Sequence, residues 1–186
     1  MPHIPVPANL PGIRGLVAFR PEMGRALYDL AEALLVGDSP LSRAERELIA
    51  AYVSSRNNCT FCTESHAAAS RHLFGAKAGI VDEVLGGDAC ATPGEKLTSL
   101  LAIAGKVQQG GLEVTEADIE QARRAGANDQ EIHDTVLVAA AFCMFNRYVD
   151  GLASWTPTDP AMYADMGRRM AEQGYAGRLQ QILDAR

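Results

Sequence analysis

The sequence predicts an all-α protein: one multihelical domain of seven to nine helices. Three observations predict it. Apolar residues recur at helical spacing along most of the 186-residue chain, whereas strand-type alternation is almost absent. Capping residues bracket the periodic stretches. The connections between them are short, as in packed helical domains.

Taken in order, residues 1–20 (MPHIPVPANLPG onward) read as a proline-stiffened arm lying on the protein surface or on a partner subunit, ahead of a helical domain over 21–186. The arm lacks a basic region followed by an apolar stretch, so it does not read as a secretory signal. Pro21 suits the first turn of a helix over 21–36 that Gly37 can close. Ser42 and Glu45 fit a capping box for the next helix, through Arg56. Asn57 and Asn58 interrupt the pattern, and Asn58 is expected to cap a helix from Cys59 to near Gly75. A short helix at about 77–85 leads to a turn, GGDACATPG, holding Cys90. Helices follow over 93–107, after a Thr115 cap, and from Asp129 through Val149. A last amphipathic helix is expected over about 160–184.

Composition narrows the function classes. A net charge of −6 and a pI near 5.2 leave no basic stripe for nucleic-acid phosphates or an anionic membrane surface. The longest apolar run, Val136–Phe145, has ten residues, half of the roughly 20 a spanning helix needs. The cytoplasm is the expected compartment. Four cysteines, Cys59, Cys62, Cys90 and Cys143, are too few and too scattered for a disulfide scaffold. In a reducing compartment a CxxC pair reads as catalytic or metal-binding.

The stretch NNCTFCTESH carries the chemistry. At about 100° per residue, Cys59, Cys62 and His66 fall within one arc of roughly 60° on a helix. A thiolate is the nucleophile toward peroxides and disulfides, and a free thiol is mostly protonated at neutral pH. A helix N-terminus and a nearby histidine both favour the thiolate. If Cys62 attacks a peroxide it becomes a sulfenic acid, and Cys59, one turn back, can condense with it. Such a histidine usually has an orienting acid; Glu47, within the apolar run ELIAAYV, is the candidate, while Glu45 serves the cap. Alternatives stand beside this: half of a zinc site lacking further ligands, with His72 on the opposite face; two inert buried thiols; or a helical redox-sensing or binding module whose CxxC is not an efficient peroxidase.

Elsewhere, Cys143 is expected in the core, Cys90 at the surface and His133 in solvent. Asn146, Arg147 and Asp150 form either a pocket mouth or a polar helix end with an Arg147–Asp150 pair. Trp155 and Tyr163 suit either an interface or the core.

The spacing of Glu47, Cys59, Cys62 and His66, within SRAERELIAAYVSSRNNCTFCTESH, resembles the signature of the alkylhydroperoxidase D family in the carboxymuconolactone decarboxylase-like superfamily, peroxidase-related branch. FNRYVDGLA at 145–153 and the GY at 174–175 follow in similar order. The resemblance implies an alkylhydroperoxidase D-like helical fold, a homo-oligomer (dimer, trimer or hexamer), and a thiol peroxidase with neither cofactor nor metal. It implies hydroperoxide as substrate and a separate, unidentified dithiol as reductant. Carried over, Cys62 would be the peroxidatic cysteine, Cys59 its proton donor and resolving partner, and His66 with Glu47 the proton relay. One departure stands out: the family's best-known pattern has a second histidine immediately before the second cysteine, and here that position is Phe61.

Overall fold

The computed structural model describes residues 1–86 and 93–184. These form ten α-helices: α1 (Ile13–Phe19), α2 (Pro21–Leu35), α3 (Arg43–Arg56), α4 (Thr60–Phe74), α5 (Gly79–Gly86), α6 (Gly94–Gln109), α7 (Glu116–Arg124), α8 (Asp129–Gly151), α9 (Pro160–Gln173) and α10 (Arg178–Asp184). Two 3₁₀ turns, Gly75–Lys77 and Gly111–Glu113, join neighbours, and no strand occurs among the described residues. The all-α expectation holds, with more helices than the seven to nine expected. The expected turn at Cys90 lies outside the described residues.

The two extra helices sit at the ends of the chain, and both bear on the site. Residues 13–19, expected as part of an extended arm, form α1. The last expected helix, 160–184, is broken into α9 and α10. The break is at Gly174, whose φ of 67° ends α9 in the left-handed region. Glu32 of α2 fixes the turn by accepting hydrogen bonds from the backbone N–H groups of Tyr175 (2.6 Å) and Ala176 (3.0 Å). A carboxylate 143 residues away has no local sequence signature.

The expected cap at Asn58 is also corrected. Asn58 has φ 59° and closes α3 instead. Its N–H bonds Ser55 O and the Cys59 N–H bonds Ser54 O, each at 3.0 Å, the two-bond pattern that ends a helix around a left-handed residue. Asparagine tolerates that conformation well, and here the tolerance wins over its capping preference. Cys59 thus ends one helix and is the N-cap of the next. The Ser42–Glu45 capping box forms as expected, with the Ser42 N–H donating to Glu45 at 2.8 Å. Asn128, rather than Asp129, caps α8.

Helix α4 is packed between α3 and α9, with α6 and α8 closing the bundle. The main core holds Leu35, Leu48, Ile49, Leu100, Ile103 and Phe142. Arg46, 3% exposed within it, donates to the Leu34 and Gly37 carbonyls at 2.9 and 2.8 Å and so satisfies the C-terminal end of α2. A smaller cluster gathers Leu16, Cys59, Phe61, Cys62, Tyr163 and Met166. The N-terminal segment covers this cluster with Ile4 and Val6. It is tied down by backbone hydrogen bonds from His3 to Leu152 (3.0 Å) and from Gly12 to Trp155 (2.8 Å). A Cβ on Gly12 would fall 2.1 Å from the Phe61 ring, so only glycine allows the crossing.

The α4–α9 contact is equally close. A Cβ on Gly167 would lie 2.5 Å from the Ala68 carbonyl carbon and 2.6 Å from the Ala69 nitrogen. Neither helix backbone can yield cheaply, so Gly167→Ala is expected to destabilise the fold by about 1–3 kcal/mol. Urea unfolding would measure this. An unchanged midpoint would mean that α9 does not sit this close to α4.

Candidate active site

The turn after α3 sets the geometry of the cysteine pair. Cys59 occupies the N-cap of α4 and Cys62 lies in its first turn, where backbone N–H groups are unpaired. Both are free thiols, 0% and 5% exposed. The Cys59 thiol is pushed well above its ordinary range by its hydrogen bond with Cys62 and by burial, and the neighbouring Cys62 charge adds to this. Its surroundings thus favour the S–H form of Cys59. That suits the proton donor implied by the resemblance.

It also has a cost at high pH. In the unfolded chain Cys59 ionises near its ordinary value of 9.0, but in the fold it stays protonated. An acid whose folded pKa is raised contributes stability that is complete below the unfolded value and is lost as pH rises past it. Thermal melting should therefore fall more steeply above about pH 9 in the wild type than in Cys59→Ala. Parallel curves for the two proteins would show that Cys59 is not held as a thiol.

His66 lies one turn beyond Cys62 on α4. Its Nδ1 is 2.6 Å from Glu47 Oε2. Glu47, 0% exposed on α3, accepts a second bond at its other oxygen from the Tyr175 hydroxyl, also at 2.6 Å. The His66 ring stacks near Tyr175, 6.3 Å between centroids, and meets Phe142 edge-on at 4.6 Å. Burial, together with the Glu47 charge, holds the Tyr175 phenol well above its ordinary range, so it remains a donor. With Nδ1 committed to Glu47, Nε2 is the nitrogen left for the cavity.

That cavity, about 70 Å³, is lined by Cys62, Ser65, His66, Tyr175 and two arginines, Arg14 and Arg178, among apolar side chains. Cys59 is not among its lining residues. Of the four residues expected from sequence, Glu47 and His66 are hydrogen-bonded, Cys62 and His66 line the same cavity, and Cys59 lies behind Cys62 as a separate free thiol. Phe61 also lines the cavity, with its ring 6.2 Å from that of Tyr163.

Other expectations resolve differently. Asn146 is neither a pocket mouth nor a polar end. It is 1% exposed, accepts from Asn57 at 2.8 Å and donates to Ser54 at 2.9 Å, locking α8 to the end of α3. Arg147 bonds the Cys143 carbonyl at 2.8 Å in place of Asp150. Cys143 is half-buried. Tyr163 is a core residue whose hydroxyl donates to the Pro157 carbonyl, while Trp155 and His133 are exposed. Cys90 lies outside the described residues. Among the described residues no three His, Cys, Asp or Glu side chains converge as a metal-binding group. No helix there is long and apolar enough to cross a membrane.

Known proteins carry the same architecture. Residues 21–106, which hold Glu47, Cys59, Cys62 and His66, match the model of the carboxymuconolactone decarboxylase family. The crystal structure of an uncharacterised peroxidase-related protein from Silicibacter sp. TM1040 is 32% identical, with a TM-score of 0.74, over 85% of this chain and 81% of that one. The chain belongs to the carboxymuconolactone decarboxylase and alkylhydroperoxidase D superfamily, in its peroxidase-related branch. A second such structure, the alkylhydroperoxidase AhpD core of a peroxidase-related protein from Ralstonia eutropha JMP134, is 28% identical with the same TM-score and coverage. A protein of unknown function from Agrobacterium tumefaciens, 21% identical, shares the superfamily fold with a TM-score of 0.68 over 86% of this chain and 100% of that one. No curated protein matches the chain. Superfamily members are enzymes, decarboxylating or peroxidase-like.

Sequence reasoning missed Tyr175 as a site residue, although the GY at 174–175 was part of the resemblance. It also missed Arg14, Arg178 and Ser65, which come from three separate helices and reach one cavity only in the fold.

Proposed function

We propose that the protein is a thiol peroxidase that reduces hydroperoxides through a dithiol–disulfide cycle at Cys59 and Cys62. The observation that carries this reading is geometric: Cys62, in the first turn of α4, lines the same cavity as His66, which is bonded to the buried Glu47 and through it to Tyr175.

In the first step the Cys62 thiolate attacks the outer peroxide oxygen. An S–O bond forms, the O–O bond breaks, and the leaving alkoxide takes a proton to become an alcohol. His66, oriented by Glu47 and on the same cavity wall, would supply it. In the second step Cys59 gives up its proton and attacks the Cys62 sulfur. An S–S bond forms, the S–O bond breaks, and water leaves. A dithiol donor then reduces the disulfide and is itself oxidised. Phe61 replaces the second histidine of the best-known pattern, so the relay runs through His66, Glu47 and Tyr175. The protein would work in a reducing compartment such as the cytoplasm, as a homo-oligomer.

The near-complete burial of both thiols supports one rival, a redox sensor that forms the disulfide slowly. Stopped-flow oxidation of the reduced protein by cumene hydroperoxide, with thiols counted before and after, separates the two. Loss of two thiols per subunit within seconds supports the peroxidase. Loss only over hours favours the sensor and ends the catalytic reading.

A further inference from the structure

The cavity beside Cys62 contains more positive charge than a peroxide group requires. Arg178 is 7% exposed, and among the described residues its guanidinium makes one hydrogen bond, a long one of 3.5 Å to the Met166 carbonyl. Arg14 makes no side-chain hydrogen bond or ion pair among the described residues, and its Nε is fully buried without a partner. The Ser65 hydroxyl, on the same cavity wall, is also buried and unpartnered. Burial lowers the basicity of Arg14, and the nearby positive charge of Arg178 adds to this, although Tyr28 acts against it.

The acidic groups in reach are already engaged. Glu47 is bonded to His66 and Tyr175, and Asp165 is paired with Arg168 and Arg169. One buried and one half-buried guanidinium, neither with a carboxylate partner among the described residues, are costly unless something anionic neutralises them. In a chain of net charge −6, this is a local reversal of sign. Apart from Tyr28, His66 and Tyr175 the remaining wall is apolar, with Leu27, Phe142, Phe145, Met166 and Met170.

We infer that Arg14 and Arg178, with the Ser65 hydroxyl, form a carboxylate-binding subsite, and that the ligand of this cavity is an organic acid with an apolar body. Guanidinium groups match a carboxylate in geometry, bond by bond. The apolar wall holds the hydrocarbon part. Resting on the peroxidase reading, the substrate class is a carboxylic acid that carries its hydroperoxide on the apolar portion, anchored so that the O–O bond meets Cys62. The subsite itself does not depend on that reading.

Alkylation of Cys62 tests it without any peroxide. Iodoacetate and iodoacetamide are nearly the same size and transfer their carbon to a thiolate with loss of iodide, but only the first carries a carboxylate. Peptide mapping gives the rate at Cys62 for each, and glutathione supplies the intrinsic ratio. The iodoacetate-to-iodoacetamide ratio at Cys62 should exceed that of glutathione by about tenfold or more, since a charge-assisted hydrogen bond is worth roughly 1.5–3 kcal/mol. Arg14→Met and Arg178→Met should each bring the ratio back toward that of glutathione. Octanoate should protect wild-type Cys62 from iodoacetamide where octanamide does not, a measurement that stands even if a variant fails to fold. A wild-type ratio equal to that of glutathione, or equal protection by acid and amide, would overturn the subsite. A raised ratio in a protein that cumene hydroperoxide does not oxidise would keep the subsite and remove the peroxidase.

Discussion

Cys62→Ser is expected to abolish hydroperoxide-driven thiol loss at the pair, whereas Cys59→Ser should oxidise once per subunit and stop. The two sulfurs are three residues apart but do not have the same surroundings. Cys62 faces the cavity and lies in the first turn of α4. Cys59 is 0% exposed and does not line the cavity, and its surroundings favour the protonated form. A hydroxyl at position 62 has no accessible anion at neutral pH, so the loss should be on the order of 10³-fold or more, as when an enzyme loses its nucleophile. With serine at position 59 the first step remains, but the sulfenic acid has no partner. Intact mass should then show one added oxygen, and a sulfenic-acid trap should capture it at Cys62. Turnover surviving in Cys62→Ser would sink the assignment, and the opposite pattern in the two variants would exchange their roles.

The second large effect is expected at Glu47. Its carboxylate is fully buried and serves two groups at once, His66 Nδ1 and the Tyr175 hydroxyl. Glu47→Gln keeps the shape and one acceptor but removes the charge that favours the imidazolium. Oxidation of Cys62 should slow by roughly 10²–10⁴-fold, the range for loss of acid–base assistance. Glu47 is a positioning residue, so rate alone is not enough. The pH profile of oxidation should also change shape, which a merely structural role would not cause. Tyr175→Phe takes one donor from the same carboxylate and should cost about 1–3 kcal/mol of stability with a smaller effect on rate. Because the two changes meet at one carboxylate, the double variant should not be additive. A Glu47→Gln protein with wild-type rate and profile would remove the relay from the mechanism.

Much of this site was legible in the sequence because its central parts are local. Cys59, Cys62 and His66 are spaced for one helix face, and Glu47 is a charge inside an apolar stretch of the preceding helix. Helices α3 and α4 are neighbours in the chain, so helical period and sequence order together predict where Glu47, Cys62 and His66 gather, whereas Cys59, an extended N-cap, stays off the cavity wall. The misreadings have a common cause. Asn58 suits both a cap and a left-handed reversal, and only the hydrogen bonds to Ser54 and Ser55 decide between them. The break at Gly174 depends on Glu32, and the arginines on a cavity built from α1, α2, α4, α8, α9 and α10. Such features come from tertiary packing, to which local periodicity is blind.

The bond between Tyr175 and Glu47 spans 128 residues of chain. On a ribosome adding roughly 5–20 residues per second, about 6–25 s separate the synthesis of its two ends. During that interval Glu47, Cys59, Cys62 and His66 have all been made, but the hydroxyl that occupies half of the carboxylate has not, and neither has Arg178. A nascent chain therefore carries the whole CxxC motif before it carries the site, and the site cannot close until Tyr175 and Arg178 have been added.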